Sequence, residues 1–111
     1  MSAIYVAAKY EDAPHAREVM AQLIAAGHTI TYDWTTNEQV SDEQAWADME
    51  GVLNADAFVL IAEKDLNYCG ALVELGMALA ADIPVYVLGT ALDDRCIFLQ
   101  LPVHRGIDSL L

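Results

Sequence analysis

The stretch AFVLIAEKDLNYCGALVELGMALAADIPVYVL, residues 57–88, carries the pattern that decides the fold. Its first run, Ala57–Ala62, is continuously apolar, which is typical of a strand buried on both faces of a parallel sheet. A helical segment, Ala71–Ala81, follows, and a second apolar and β-branched run, Val85–Leu88, ends the stretch. This order predicts a strand–helix–strand unit in which the helix connects two parallel strands.

The rest of the chain repeats this alternation of short apolar runs and helical patterns. The predicted elements outside the quoted stretch are strands at Ala3–Ala8 and Thr29–Tyr32, a helix over Asp12–Ala26 that Gly27 ends, a helix capped by Ser41 or Asp42 that runs to about Asn54, a short fifth strand from Val103 and the stub of a last helix at Ile107–Leu111. Strands that alternate with helices predict a parallel sheet. With right-handed crossovers, the simplest layout is an α/β fold with a flavodoxin-like doubly wound parallel sheet of four to five strands and helices on both faces.

Length and charge limit the classes of function. At 111 residues the chain forms one domain, residues 1–111, and its 56% of hydrophobic residues can build a core. The formal net charge is −12, from 17 acidic and 5 basic residues. Such a charge repels phosphate backbones and anionic lipid. We therefore exclude nucleic-acid polymers as partners, and a small nucleotide would need a local basic site.

Several sequence features predict a cytoplasmic protein without a membrane partner. Residues 1–14 have no basic region before their short apolar run, unlike a signal peptide. The most apolar segment, Ala71–Leu88, contains two acidic residues and a proline, which argues against a membrane span. Cys69 and Cys96 have neither C-x-x-C nor metal-ligand spacing, which fits free thiols in a reducing compartment. We expect no metal and no cofactor, since a metal cluster and a glycine-rich dinucleotide loop are both missing from the sequence.

The predicted topology indicates where a ligand binds. On doubly wound sheets, ligands lie beyond the carboxyl ends of the strands, near the point where the strand order reverses. The loops expected at that edge are Lys9–Ala13, Asp33–Asn37, Glu63–Gly70 and Gly89–Asp94. These loops and the adjoining helix starts hold the candidate site residues.

Glu74 is the first candidate. In CGALVELGMALAAD, residues 69–82, it is the only charged residue before Asp82, so we expect a helix that is apolar all round and buried. A buried carboxylate is costly unless it is compensated. In the first turn after Gly70, free backbone N–H groups and the helix dipole would stabilise an ionised carboxylate that can act as a nucleophile. The alternative is a helix-start residue that bonds back to the loop backbone.

Three more residues are candidates with structural alternatives. Asp48 opens the segment DMEGVLNAD, residues 48–56, and lies either at a site or on a solvated helix face. Tyr5 lies in the first strand, where a tyrosine is usually a core residue with its hydroxyl satisfied. Lys9 either forms a local anion site with His15 and Arg17 or is a surface lysine.

Three segments together resemble the nucleoside 2-deoxyribosyltransferase superfamily, which includes the 2′-deoxynucleoside 5′-monophosphate N-hydrolases. IYVAAKY, residues 4–10, resembles the first strand of that family with its tyrosine. DMEGVLNADAFVLI, residues 48–61, is similar to the helix-to-strand segment whose leading aspartate lies in the active site. GALVELGMALA, residues 70–80, resembles the glycine–x3–glutamate–leucine–glycine signature. The similarity covers nearly the whole chain, with the motifs in order and at compatible spacing.

The resemblance implies a role for each of the following residues. Glu74 would attack the anomeric carbon and form a covalent glycosyl–enzyme intermediate, as in retaining glycoside cleavage. Asp48 would hold the sugar or assist proton transfer at the leaving base, and Tyr5 would orient Glu74. The residues implied to bind substrate are Gly70 in the signature, Asp33 and Trp34 at the base pocket, and Lys9 and Tyr10 beyond the first strand. The substrate would be a (deoxy)nucleoside or nucleotide, with water or a second nucleobase as the acceptor.

Tyr68 departs from the family pattern. It stands six residues before Glu74, where transferases carry an aspartate and nucleotide hydrolases a serine, and it is expected to stack on a base or close the pocket. RCIFLQLP, residues 95–102, has no clear match to the asparagine that some transferases lend to a neighbouring subunit. We expect a homodimer or higher homo-oligomer, because so small a chain can hardly enclose a nucleoside alone. A non-catalytic nucleotide-binding module of the same fold remains the alternative.

Overall fold

The computed structural model describes residues 1–37 and 40–111, which form a parallel sheet flanked by helices. The strands are β1 (Ala3–Ala7), β2 (Thr29–Ile30), β3 (Ala57–Ile61), β4 (Val85–Leu88) and β5 (His104–Arg105). The helices are α1 (Ala13–Ala25), α2 (Asp42–Leu53) and α3 (Cys69–Ala80). Short 3-10 helices lie at Tyr10–Asp12, Ile97–Gln100 and Asp108–Leu110.

The strand order is β2-β1-β3-β4-β5, and every neighbouring pair is parallel. This is the flavodoxin-like order, and it confirms the predicted fold class. The chain moves in one direction from β1 to β2 and in the other from β2 to β3, so right-handed crossovers place α1 on one face and α2 and α3 on the other. Helices α2 and α3 pack against each other on their shared face.

Strand β3 is the centre of the core. All five of its residues are buried, as the continuous apolar run predicts. Phe58 of β3 lies beside Tyr5 of β1 in the sheet register, and the two rings stack with their centroids 5.9 Å apart. The Tyr5 hydroxyl reaches Glu74 of α3, so this pair of rings lies on the face that α2 and α3 cover.

Helix α3 differs from the prediction in two ways that affect the site. It begins at Cys69, two residues earlier than expected, so Glu74 lies in its second turn. The expectation that free N–H groups of the first turn compensate the carboxylate is therefore wrong, because N–H groups beyond the first turn bond within the helix. The expected burial on all sides is also wrong: Leu75 and Ala78 are buried, but Val73 is 57% exposed.

The remaining boundaries agree with the sequence to within a few residues. Ser41 is the N-cap of α2, and its hydroxyl accepts a hydrogen bond from the Gln44 N–H. Gly27 follows the end of α1 with a φ of 97°, as expected of a helix-ending glycine. Strand β2 stops at Ile30 instead of Tyr32. In the described ranges, no helix is long and apolar enough to cross a membrane.

Candidate active site

A cavity of about 460 Å³ opens at the carboxyl ends of β1, β2 and β3. Ligands bind at this edge in doubly wound sheets, and the volume lies within the usual range for small-molecule sites. Its lining comes from the ends of the strands, the start of α2 and the start of α3: Ala8, Lys9, Tyr10, Trp34, Asn37, Val40, Ser41, Gln44, Ala45, Asp48, Tyr68, Gly70, Ala71 and Glu74. The cavity thus brings together segments that are far apart in sequence.

Glu74 and Tyr5 form the most specific contact at the cavity. The Tyr5 hydroxyl donates a hydrogen bond of 2.6 Å to Oε2 of Glu74, across 69 residues of sequence. Tyr5 itself is fully buried beneath the cavity. Burial and the negative charge of Glu74 raise the pKa of Tyr5, so the phenol keeps its proton and remains the donor. This side-chain partner differs from the structural alternative considered for Glu74, in which its carboxylate bonds back to the loop backbone.

The Glu74 carboxyl group titrates near neutral pH. Burial raises its pKa to about 7. The hydrogen bond from Tyr5 lowers that pKa, since it stabilises the carboxylate, and the negative charge of Asp48 raises it. A carboxyl group with a pKa in this range can take up or release a proton near neutral pH.

Asp48 supplies a second carboxyl group to the same cavity. It lies in α2, and burial raises its pKa, which favours the neutral form. Its Oδ1 atom is buried and has no hydrogen-bond partner among the residues that the structure describes. A buried polar atom without a partner is costly, so this oxygen is suited to a hydrogen bond with a ligand.

Two aromatic side chains form a wall of the cavity. The Trp34 indole is buried and donates a 2.6 Å hydrogen bond from Nε1 to the Val6 carbonyl, which fixes the ring. The Tyr10 ring lies 6.5 Å from it, centroid to centroid, and its hydroxyl donates to the Asn37 carbonyl. Both were expected from the sequence to bind substrate, and both line the cavity.

Three further residues line the cavity and differ in exposure and in their contacts: Tyr68, Gly70 and Lys9. Tyr68 is 2% exposed, and its hydroxyl donates to the Lys64 carbonyl, so it is a fixed part of the wall. Gly70 lies in the first turn of α3 and is exposed. The Lys9 ammonium lies 3.6 Å from a carboxylate oxygen of Glu11.

Asp33 lies outside the lining of this cavity. Its Oδ1 accepts hydrogen bonds from the backbone N–H and the hydroxyl of Thr35, at 2.9 and 2.5 Å. This is the pattern of an aspartate that stabilises a local turn. The structure therefore places Trp34 at the cavity but gives the neighbouring carboxylate a role in the loop backbone.

The suggested anion site of Lys9, His15 and Arg17 is wrong. The His15 ring lies 2.7 Å from Glu63 and 3.6 Å from Glu18, so it faces carboxylates. The hydrogen bond to Glu63 raises the pKa of His15. Of the three basic residues, only Lys9 lines the cavity.

Residues at the start of α2 were missed by the sequence reasoning. Ser41, Gln44 and Ala45 line the cavity together with Asp48. These positions are spaced as i, i+3, i+4 and i+7, which is one face of a helix. Once Asp48 is a candidate, this spacing is the signal that would have found them. Asn37 carried no comparable signal, since it lies in an irregular loop.

The comparisons with known proteins add no assignment. No protein-family model matches the chain, and no curated protein matches it significantly. Within the described ranges, no group of three or more histidine, cysteine or acidic side chains is arranged to hold a metal ion.

Proposed function

We propose that this protein cleaves or exchanges the N-glycosidic bond of a (deoxy)nucleoside or nucleoside 5′-monophosphate, through a covalent glycosyl intermediate on Glu74. The observation that carries the proposal is the arrangement of Glu74, Tyr5 and Asp48 at one cavity. A carboxyl group with a pKa of about 7 receives a hydrogen bond from a buried phenol, and a second carboxyl group lines the same space.

The first chemical step would use Glu74 as a nucleophile. Its carboxylate attacks the anomeric carbon while the bond from that carbon to the base nitrogen breaks, and the bonding electrons pass to the base. Asp48, whose carboxyl group lines the same cavity, would deliver a proton to the departing base. Tyr5 holds the carboxylate in one orientation through its hydroxyl.

The second step would release the sugar. In hydrolysis, Asp48 takes a proton from water as the water attacks the anomeric carbon, and the Glu74 carboxylate is restored. In transfer, the nitrogen of a second nucleobase attacks instead, the bond from the anomeric carbon to Glu74 breaks, and Asp48 takes the proton from that nitrogen. Both outcomes use the same two carboxyl groups, so the geometry supports the bond type and leaves the choice of acceptor to experiment.

The walls of the cavity suit a nucleoside. Trp34 and Tyr10 offer aromatic surface to a base, and the exposed Gly70 allows a ligand to approach the start of α3 closely. Lys9 is the positive charge in the described lining and would face a 5′-phosphate where the substrate carries one.

The expected homodimer belongs to the same proposal. The cavity is open to solvent, and Val40 in its lining and Trp46 in α2 are large exposed apolar side chains. A second copy that covers these side chains would complete the cavity. Light scattering under assay conditions tests this expectation, and a monomeric mass would contradict it.

Release of free base from a panel of nucleosides and 5′-monophosphates tests the proposed function. The panel is run with and without a second nucleobase, and with Glu74→Ala and the exposed control Glu50→Ala. We expect base release that Glu74→Ala abolishes and Glu50→Ala preserves. Dependence on the second base would identify a transferase, and release without it a hydrolase.

A binding module without turnover is the second candidate. It is favoured by Tyr68, whose buried ring and satisfied hydroxyl stand where relatives of the proposed class carry a polar residue that contacts substrate. Binding of an intact nucleoside without release of base from any member of the panel would support this candidate and exclude the enzyme.

A further inference from the structure

Gly51 lies inside helix α2, where a glycine is unfavourable. Relative to alanine, glycine in a helix interior loses more conformational freedom on folding. The glycines with positive φ in the described chain are Gly27, Gly89 and Gly106, so Gly51 has ordinary helical geometry. A need for unusual backbone angles therefore does not explain this glycine.

The glycine is explained by the lack of space for a side chain at position 51. A Cβ atom at position 51 would lie 2.9 Å from the Cβ of Tyr32 and 3.0 Å from two ring carbons of Tyr5. Real Cβ atoms essentially never approach another atom to 2.9 Å, and a distance of 3.0 Å is shorter than nine in ten real Cβ contacts, so α2, Tyr32 or the Tyr5 ring would have to move. Gly76 in α3 is the contrasting case, because a Cβ atom there meets nothing within 4 Å.

The Tyr5 ring has little room to move away from Gly51. The ring is fully buried and stacks on Phe58 of the neighbouring strand. Its hydroxyl is committed to Glu74 at 2.6 Å. Helix α2 is also held at this distance, because the Gly51 carbonyl accepts a 2.7 Å hydrogen bond from the Thr31 hydroxyl.

We propose that Gly51 is a positioning residue of the active site, whose missing side chain allows α2 to lie directly on the Tyr5 ring and thereby seats the phenol against Glu74. The same close approach sets the depth of Asp48, which lies three residues earlier in α2. The inference rests on the proposed function, in which Tyr5 orients Glu74, but the contact itself can be tested without turnover.

The test is an NMR titration of the Glu74 carboxyl carbon in the full chain labelled with ¹³C-glutamate, with Glu74→Gln used to assign the signal. We expect a wild-type midpoint near pH 7. Tyr5→Phe removes the donor that stabilises the carboxylate and raises the midpoint by about one unit. Gly51→Ala displaces that donor and raises the midpoint by about half a unit or more. The matched control, Gly76→Ala, leaves it unchanged.

A double variant separates positioning from packing. If Gly51 acts through the Tyr5 hydroxyl, Gly51→Ala adds no further shift in a Tyr5→Phe background. A Gly51→Ala midpoint equal to the wild-type value, or a shift that adds fully to that of Tyr5→Phe, would overturn the proposal. If Gly51→Ala does not fold, it is repeated with Tyr32→Gly, which removes the Tyr32 Cβ, and with or without Tyr5→Leu. Folding that requires Tyr5→Leu supports the ring contact, and any other outcome refutes it.

Activity adds an independent readout. Where base release is found, Gly51→Ala should lower kcat about tenfold with little change in KM, because the ring affects the reacting carboxylate and not the cavity walls. If the wild-type protein releases no base, the proposed function fails, while the titration still decides the role of Gly51.

Discussion

Two sets of acidic side chains lie at the same edge of the sheet and differ in whether they contact a basic residue. In the first group, which we call the cavity pair, Glu74 and Asp48 line the cavity and form no salt bridge in the described structure. In the second, the paired cluster, Asp12 contacts Lys64 at 2.7 Å and Glu63 contacts His15 at 2.7 Å. Partners of opposite charge stabilise ionised carboxylates, whereas burial without them favours the neutral form.

This difference separates acidic residues whose charges are paired within the protein from acidic residues that are available to a ligand. The paired cluster ties the start of α1 to the loop after β3 through contacts between opposite charges, although Oδ2 of Asp12 is buried without a hydrogen-bond partner among the described residues. The cavity pair has raised pKa values and lines a space that a ligand can enter. Such groups are suited to a ligand and to proton transfer.

The largest expected effect is on activity. Glu74→Gln removes the proposed nucleophile and should lower kcat by about 10⁴-fold. Glu63→Gln, the same change in the paired cluster, should leave kcat within about twofold. Initial rates of base release measure both variants. Similar losses in the two variants would remove the distinction between the groups.

The second effect is on stability and its dependence on pH. The pKa of Glu74 is raised in the folded state, so its contribution to stability is full below the unfolded pKa of about 4.5 and is lost as pH rises through about 7. Above that pH, the buried charge costs on the order of 3 kcal/mol. Glu74→Gln does not titrate, and urea unfolding should show that it gains this much over the wild type between pH 4.5 and pH 8. A constant difference across that range would contradict the raised pKa.

Asp48→Asn sharpens the contrast within the cavity pair. Loss of the proposed proton carrier should lower kcat about 10²-fold. Because the negative charge of Asp48 raises the pKa of Glu74, the variant should also move the acid limb of the pH–rate profile to lower pH. The control is Glu50→Gln, which removes an exposed carboxylate from the same helix. An acid limb that stays at the wild-type pH in Asp48→Asn would show that the two carboxyl groups are not coupled.

The smallest effect concerns the paired cluster. Glu63 raises the pKa of His15, so this contact stabilises the fold below the unfolded pKa of about 6.5 and loses its contribution as pH rises through the higher folded value. Both side chains are partly exposed, which limits the contribution to about 0.2–1 kcal/mol. Thermal melts of Glu63→Gln should therefore show a loss at pH 6 that disappears at pH 9. An equal loss at both values would point to packing instead.

Much of the fold was predictable because its signals are local. The continuous apolar run of β3 and the strand at Val85–Leu88 require only neighbouring residues to be recognised. The helix cap at Ser41 and the terminating Gly27 are local for the same reason. The start of α3 was less predictable. Cys69 and Gly70 resemble loop residues in the sequence, but they form the first turn of the helix that continues through Ala71.

The sequence by itself determined the order of strands and helices and the identity of the principal acidic candidates. Only the tertiary structure decided how these candidates behave. Tyr5 and Glu74 meet because β1 lies beneath α3, and the donor that compensates the carboxylate comes from that contact and not from the helix start. Asp33 is used in its own loop, while Gln44 reaches the cavity, because packing directs one side chain away and the other inward. Burial and the distance between charges set the pKa of each carboxyl group, and both depend on residues that are far apart in the chain.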